Sequence, residues 1–203
     1  MAKEEGVIKF NCNWKKTGPF PEEPLADINE ARQQCKERGF IGVDENGIGF
    51  GNLSFRIGES SQFLITATQT SKLDALTGNH YAKVTSYNID ENSVTAEGAM
   101  KPSSESLTHA GIYEGSSMIN AVIHVHNQEL FKAYVNKVAT VPAEIQASGP
   151  EMANAVKDML GNLTCRLQKV IVMAGHDNGV LFYGNDIIDA KNIMIHYYRA
   201  AMG

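Results

Sequence analysis

Ala121-Val122-Ile123-His124-Val125-His126 is the stretch on which the reading of the chain turns. β-Branched and apolar residues surround the two histidines, which is the composition of a strand. Strand side chains alternate between faces, so His124 and His126 project from the same side. Two imidazoles on one face are either half of a metal site or a polar strand face, and the pair alone does not choose. Two other stretches favour the metal. Lys101-Pro102-Ser103-Ser104-Glu105 reads as a loop entering a helix and brings two hydroxyls and a carboxylate. His176 lies in a glycine-flanked turn, Gly175-His176-Asp177-Asn178-Gly179, and is the candidate third ligand. Three protein ligands leave an open position for substrate.

Composition narrows the class. The chain has 203 residues, 43% of them hydrophobic and 20% charged, enough for one domain with a real core. A net charge of −5 gives no electrostatic case for nucleic acid or an anionic membrane as partner. No run approaches the ~20 apolar residues that cross a bilayer, and Met1-Ala2-Lys3-Glu4-Glu5 lacks the apolar stretch of a signal peptide. Cys12, Cys35 and Cys165 are odd in number and form no CxxC pair. Free thiols in a cytoplasmic protein are the expectation.

Outward from the histidine strand, periodicity and turn residues lay out the remaining elements. Residues 1–24 read as an irregular arm with a short strand at Val7–Phe10. A helix is expected over Asp27–Arg38, where Ile28, Ala31 and Cys35 share a face and Gly39 stops it. Strands follow at Leu53–Ile57, Gln62–Thr68, Ala82–Ile89 and Val94–Glu97. Ser103 or Ser104 caps a helix running towards Met118. Beyond the histidine strand come helices at Gln128–Asn136 and Pro150–Leu160. Strands at Val170–Met173 and Val180–Tyr183 flank the His176 turn, and a last helix starts after Asp186. This alternation implies one α/β domain, a mixed sheet with helices on its faces.

The motifs resemble those of the class II aldolase/adducin family. Gly51-Asn52-Leu53-Ser54, Leu64-Ile65-Thr66-Ala67-Thr68, the Pro-Ser-Ser-Glu loop with His109, and the His-x-His strand occur in the family's order, and Gly175-His176 through Asp186 fits its closing segment. The resemblance spans about residues 25–200. It implies a three-layer αβα domain over 25–203 with a mainly antiparallel central sheet, assembled as a cyclic homotetramer. It implies a zinc or other divalent-metal enzyme, as in fuculose-phosphate aldolase and ribulose-phosphate 4-epimerase. His124, His126 and His176 then match the metal ligands, and Glu105 the catalytic acid/base. Asn52, Thr68, Ser103 and Ser104 match the residues that bind the substrate phosphate.

The chemistry expected is that of a lyase: cleavage of a small sugar, a ketose phosphate, through a metal-stabilised enediolate. Backbone N–H groups and hydroxyls around Gly51-Asn52 and Ser103-Ser104 would hold the anion without an arginine. A metal-dependent epimerase is the near alternative. The adducin head, which shares the fold and is not an enzyme, supplies a further one, a non-catalytic oligomeric module. Ser103 and Ser104 read equally as helix caps. Three positions depart from the family pattern. Asn178-Gly179 stands where a His-Gly pair is common, Gln69 stands where the sugar-phosphate aldolases usually have glycine, and Pro142–Ala147 has no tyrosine to serve as proton donor.

Overall fold

The histidine strand becomes the centre of the sheet because its alternate residues are apolar on both sides. The computed structural model describes residues 8–146 and 148–203. In it the strands are β1 (Asn11–Lys16), β2 (Gly42–Val43), β3 (Gly49–Phe50), β4 (Asn52–Arg56), β5 (Phe63–Thr66), β6 (Tyr81–Asn88), β7 (Ser93–Gly98), β8 (Ala121–His126), β9 (Thr140–Val141), β10 (Val170–Met173) and β11 (Gly179–Gly184). The helices are α1 (Ala26–Glu37), α2 (Ser106–Gly115), α3 (Gln128–Tyr134), α4 (Pro150–Met159), α5 (Leu163–Gln168) and α6 (Ile187–Met202). Nine strands form one sheet in the order β1-β7-β6-β5-β4-β8-β11-β10-β9, and β2 and β3 make a separate hairpin. Only β1–β7 and β9–β10 pair in parallel within the large sheet. The expected three-layer α/β architecture with a mainly antiparallel sheet is the one observed.

Alternation sorts the two cores. Val122 joins Phe63, Ile65, Leu181 and Tyr183 on one face, against Leu107 and Ile112 of α2 and Met152 and Val156 of α4. Ile123 and Val125 join Leu53, Val180 and Phe182 on the other face, against Ile28 and Cys35 of α1, Leu130 of α3 and Met194 of α6. Each such fully buried aliphatic side chain contributes about 1.5–3 kcal/mol. His124 follows Val122 by two, so it lies on the α2/α4 face. The site is thus set into the side of the sheet that α2 covers.

Several boundaries differ from the sequence reading. The arm is not irregular throughout: Cys12 and Trp14 are half-buried and Asn11 and Asn13 exposed, and this alternation forms β1 along the edge of β7. The Trp14 indole N–H donates to the Gly98 carbonyl at 3.1 Å. The strand expected at Val7–Phe10 begins outside the described residues, and Phe10 itself precedes β1. Helix α2 ends at Gly115, short of Met118, and Ser106 to Tyr113 are buried without interruption, so it shows no stripe. The two-turn α5 was not foreseen; Asn162 caps it, its side chain accepting from the Thr164 N–H at 2.8 Å.

Helices α2 and α4 approach so closely that a Cβ on Gly111 would overlap the Ala153 carbonyl. Gly111→Ala is therefore expected to force the helices apart and to destabilise the fold by about 1–3 kcal/mol. Urea unfolding measures this, and an unchanged midpoint would show that α2 can shift without cost.

Candidate metal centre

Strand pairing places the first ligands. Asn52 of β4 lies directly opposite His124 of β8 in the register. Its amide nitrogen is 3.4 Å from His124 Nδ1. His124 Nε2 and Asn52 Oδ1 are both buried with no hydrogen-bond partner. These two orphans explain one another. Turning the amide about sets Oδ1 to accept from Nδ1–H, and the imidazole then presents the Nε2 lone pair. That is the tautomer a metal ligand requires.

The other imidazoles converge on the same point. His126 Nε2 lies 3.0 Å from His176 Nε2. One ligand nitrogen from each of the three histidines lies within 4.8 Å of the others. Phe50 stacks on the His126 ring at 5.1 Å. His176 reaches the pair through the loop between β10 and β11. Asn178 adopts φ +55° there, and a Cβ on Gly179 would come within 2.6 Å of the His176 ring. The Asn-Gly pair is thus the turn that makes room for His176, two residues upstream.

Burial makes the His124 and His126 imidazoles neutral. It holds His124 well below its ordinary value, with His126 and His176 adding to the effect. It holds His126 down to about 4. Neutral imidazole is the ligand form, so no proton need be displaced at pH 7. Among the described residues this is the one cluster of His, Cys, Asp and Glu with the spacing to hold a metal ion.

Beside it lies a cavity of about 30 Å³ lined by Asn52, Thr68, Gln69, Ser103, Ser104, Glu105 and His124. Asn52, Thr68, Ser103, Ser104, Glu105 and His124 thus meet at this cavity, and His126 and His176 cluster with His124. Glu105, and not Ser103 or Ser104 as expected, stands at the N-cap position of α2; its side chain makes no capping hydrogen bond, and the residue is 5% exposed. Its Oε2 accepts from the Thr108 hydroxyl at 2.9 Å. Burial pushes the carboxyl up to about 7, against the Thr108 hydrogen bond and the charge of Lys9. Ser103 closes the turn into the helix: its Oγ accepts from the Glu105 N–H and its carbonyl from the Ser106 N–H.

Three features escaped the sequence reading. Ser54 Oγ lies 2.7 Å from His109 Nδ1 and 2.6 Å from the Tyr113 hydroxyl, all three buried. This fixes His109 as a neutral packing group, its pKa pushed down to about 3 by burial. Ser54 follows Asn52 by two, so strand alternation alone would have found it. The buried Arg32 of α1 donates to the carbonyls of Thr70, Leu73 and Asp74, tying down the loop after β5. No local signal marks that role. Phe50 packs over His126 from a glycine-dense stretch that gave no sign of it.

A three-layer α/β fold with three converging imidazoles beside a buried carboxyl defines the class of protein. The class II aldolase and adducin N-terminal domain family matches residues 43–202, and the chain belongs to that family. Solved structures agree on the fold. YgbL from Klebsiella pneumoniae, whose description leaves aldolase, epimerase and decarboxylase open, is 18% identical, with 90% of this chain and 89% of that one covered and a TM-score of 0.66. The fuculose-1-phosphate aldolase of Thermus thermophilus is 17% identical, with 90% and 92% covered and a TM-score of 0.65. The sugar-phosphate aldolase of Thermotoga maritima is 15% identical, with 89% and 93% covered and a TM-score of 0.61. No curated protein matches the chain by sequence.

The Glu105 environment carries a stability cost that can be read by pH. Between the ordinary value of 4.5 and about 7, the folded state keeps a proton that the unfolded chain has released. Stability therefore falls as pH rises through that window, by about 3 kcal/mol in all. Metal-stripped Glu105→Gln is expected to exceed the wild type in stability at pH 8 by up to that amount, with the gap closing towards pH 4.5. Urea melts at the two pH values check this, and a pH-independent difference would contradict the burial of an ionisable Glu105.

Proposed function

We propose that the chain is a divalent-metal-dependent lyase that cleaves a carbon–carbon bond of a small ketose. The observation that carries the reading is the cluster of three imidazoles, one of which, His124, lines a pocket together with a buried carboxyl poised near neutrality. His124, His126 and His176 would hold the ion, and zinc suits an all-imidazole set, although other divalent metals also fit. When bound, the ion supplies Lewis-acid charge opposite the ketose carbonyl.

The chain's own residues do the rest. Glu105 takes the proton of the hydroxyl on the carbon beyond the scissile bond. That oxygen becomes an aldehyde as the bond breaks, and the electron pair moves towards the carbonyl of the remaining fragment. The same carboxyl returns the proton to the carbon left behind. Asn52, Thr68, Ser103 and Ser104 line the same pocket as Glu105 and would hold the phosphate of a ketose phosphate, as the resemblance implies. Burial of Glu105 and His124 keeps water from competing for the proton.

Epimerisation by rejoining the fragments would use the same groups, and release of two carbonyl products separates the two reactions. A non-catalytic module has no use for a carboxyl buried at this cost. Oligomerisation as a homotetramer follows from the resemblance, and the exposed Leu163 and Leu167 of α5 suit a subunit contact. A cytoplasmic setting is proposed from the free Cys12, Cys35 and Cys165. No helix among the described residues is long and apolar enough to cross a membrane.

Glu105→Gln is expected to keep its metal and lose roughly 10²–10⁴ in kcat on a cleaved ketose. A bound cation pulls the carboxyl lower, so the acid limb of the wild-type pH–rate profile falls at or below about 7. It should vanish in the variant. Full activity of Glu105→Gln would remove Glu105 from the chemistry.

A further inference from the structure

Helix α1 places two cations behind the loop that follows β5. Arg32 Nη2 donates to the Thr70 carbonyl at 2.9 Å and to the Leu73 carbonyl at 2.7 Å, and Nη1 to the Asp74 carbonyl at 3.4 Å. Lys36, one turn further along α1, donates to the Ser71 and Lys72 carbonyls, each at 3.3 Å. Every carbonyl from Thr70 to Asp74 is thus held by one of these two side chains. Arg32 is 2% exposed, and its hydrogen bonds go to carbonyls rather than to a carboxylate. A buried guanidinium is a costly way to pin a loop. The direction of the pinned peptides indicates what is gained. In a trans peptide the N–H points opposite to the C=O, so turning the Thr70 carbonyl to Arg32 turns the Ser71 N–H away from it. Gln69, Thr70 and Ser71 line the cavity, and Arg32 does not. Among the described residues the N–H groups of these three have no protein acceptor, whereas the preceding Thr68 N–H is taken by the Lys101 carbonyl. Gln69 is left-handed, at φ +62°, as in the turns whose successive N–H groups make an anion-binding nest.

We propose that Arg32 is a positioning residue for the anionic end of the substrate. With Lys36 it draws the loop carbonyls to α1 and so presents the Gln69, Thr70 and Ser71 N–H groups to a phosphate in the cavity. Neither cation touches the anion. The inference rests on the ketose-phosphate reading and adds to it two residues from an element outside the pocket. Among the described residues the lining holds no lysine or arginine, and it includes the Glu105 carboxyl. Apart from an ion held by His124, the positive potential that an anion needs at this wall comes through the peptides. Their N–H ends are polarised by the cations at their C=O ends. The loop then offers what a helix N-terminus offers, oriented N–H groups backed by aligned dipoles, with two side chains doing the aligning.

The test titrates inorganic phosphate into the wild type, Arg32→Gln and Arg32→Lys, each metal-loaded and metal-free. Binding is followed by ³¹P NMR and by the ¹H–¹⁵N spectrum of the chain. The wild type should bind phosphate saturably with or without the metal, and the Gln69, Thr70 and Ser71 amide signals should move. Arg32→Gln removes the charge and is expected to raise the phosphate Kd at least about tenfold with metal content unchanged. Both short bonds of Arg32 leave one nitrogen, so an ammonium with three donors can replace it, and Arg32→Lys should stay within about threefold of the wild type. On a cleaved ketose phosphate, Arg32→Gln should raise KM far more than it lowers kcat. An unchanged phosphate Kd in folded Arg32→Gln would make the clamp structural only and overturn the proposal. The wild-type spectra decide the matter even where Arg32→Gln does not fold. Phosphate that leaves the three amides unmoved, or that binds only with the metal present, would overturn it too. Failure to cleave any ketose, with phosphate still bound at these amides, would strike the lyase reading alone, because the titration involves no turnover.

Discussion

Desolvation of imidazoles on one face of β8 is the constraint on which the site depends. A strand with Val122 and His124 on the same side must put the histidine into whatever core the valine enters, and α2 and α4 cover that side. An imidazole so buried cannot carry charge cheaply. It either makes two hydrogen bonds or binds a cation through its lone pair. His124 has one partner, Asn52, supplied by the register of β4 against β8, and its remaining nitrogen faces His126 and His176. The sheet thus imposes both the position and the protonation state of the ligand before any ion arrives.

The same burial acts on Glu105 with the opposite sign. An imidazole loses its proton in a dry site, and a carboxyl keeps one. Side by side they give a neutral, metal-ready cluster and an acid that can shuttle a proton near neutral pH. Helix α2 holds Glu105 there, Gly111 lets α2 settle on α4, and Arg32 fixes the opposite wall of the cavity from α1. Each support lies outside the reacting groups, and each carries a cost: a close helix contact, a buried guanidinium, a left-handed glutamine. Stability is given up at the site and recovered in two apolar cores, one on each face of the sheet.

Much of this was legible in the sequence because it follows from period. The central strands, α1, α4 and α6 all show their faces plainly, and the ligands and Glu105 sit at fixed offsets from them. The illegible parts have physical reasons. Strand β1 is an edge strand with a single partner, so its alternation is shallow and depends on Cys12 and Trp14 alone. Helix α2 is buried all round and has no stripe to read. The role of Arg32 arises from carbonyls some forty positions away, and nothing local to α1 reports it. At Asn178-Gly179 the turn signal was right, but its consequence, the room for His176, needed coordinates. Gln69 stood out in sequence only by comparison with a family. Its left-handed φ and its place in the cavity lining needed coordinates.

The central claim is that three imidazoles hold one divalent ion. The most direct measurement is metal content per chain by elemental analysis, on the wild type and on His124→Ala, His126→Ala and His176→Ala, with circular dichroism to confirm folding. The account predicts close to one ion per chain in the wild type and a loss of tight binding in each folded variant. A wild type that takes up no metal after supplementation with zinc, or a folded His176→Ala that retains a full complement, would contradict it.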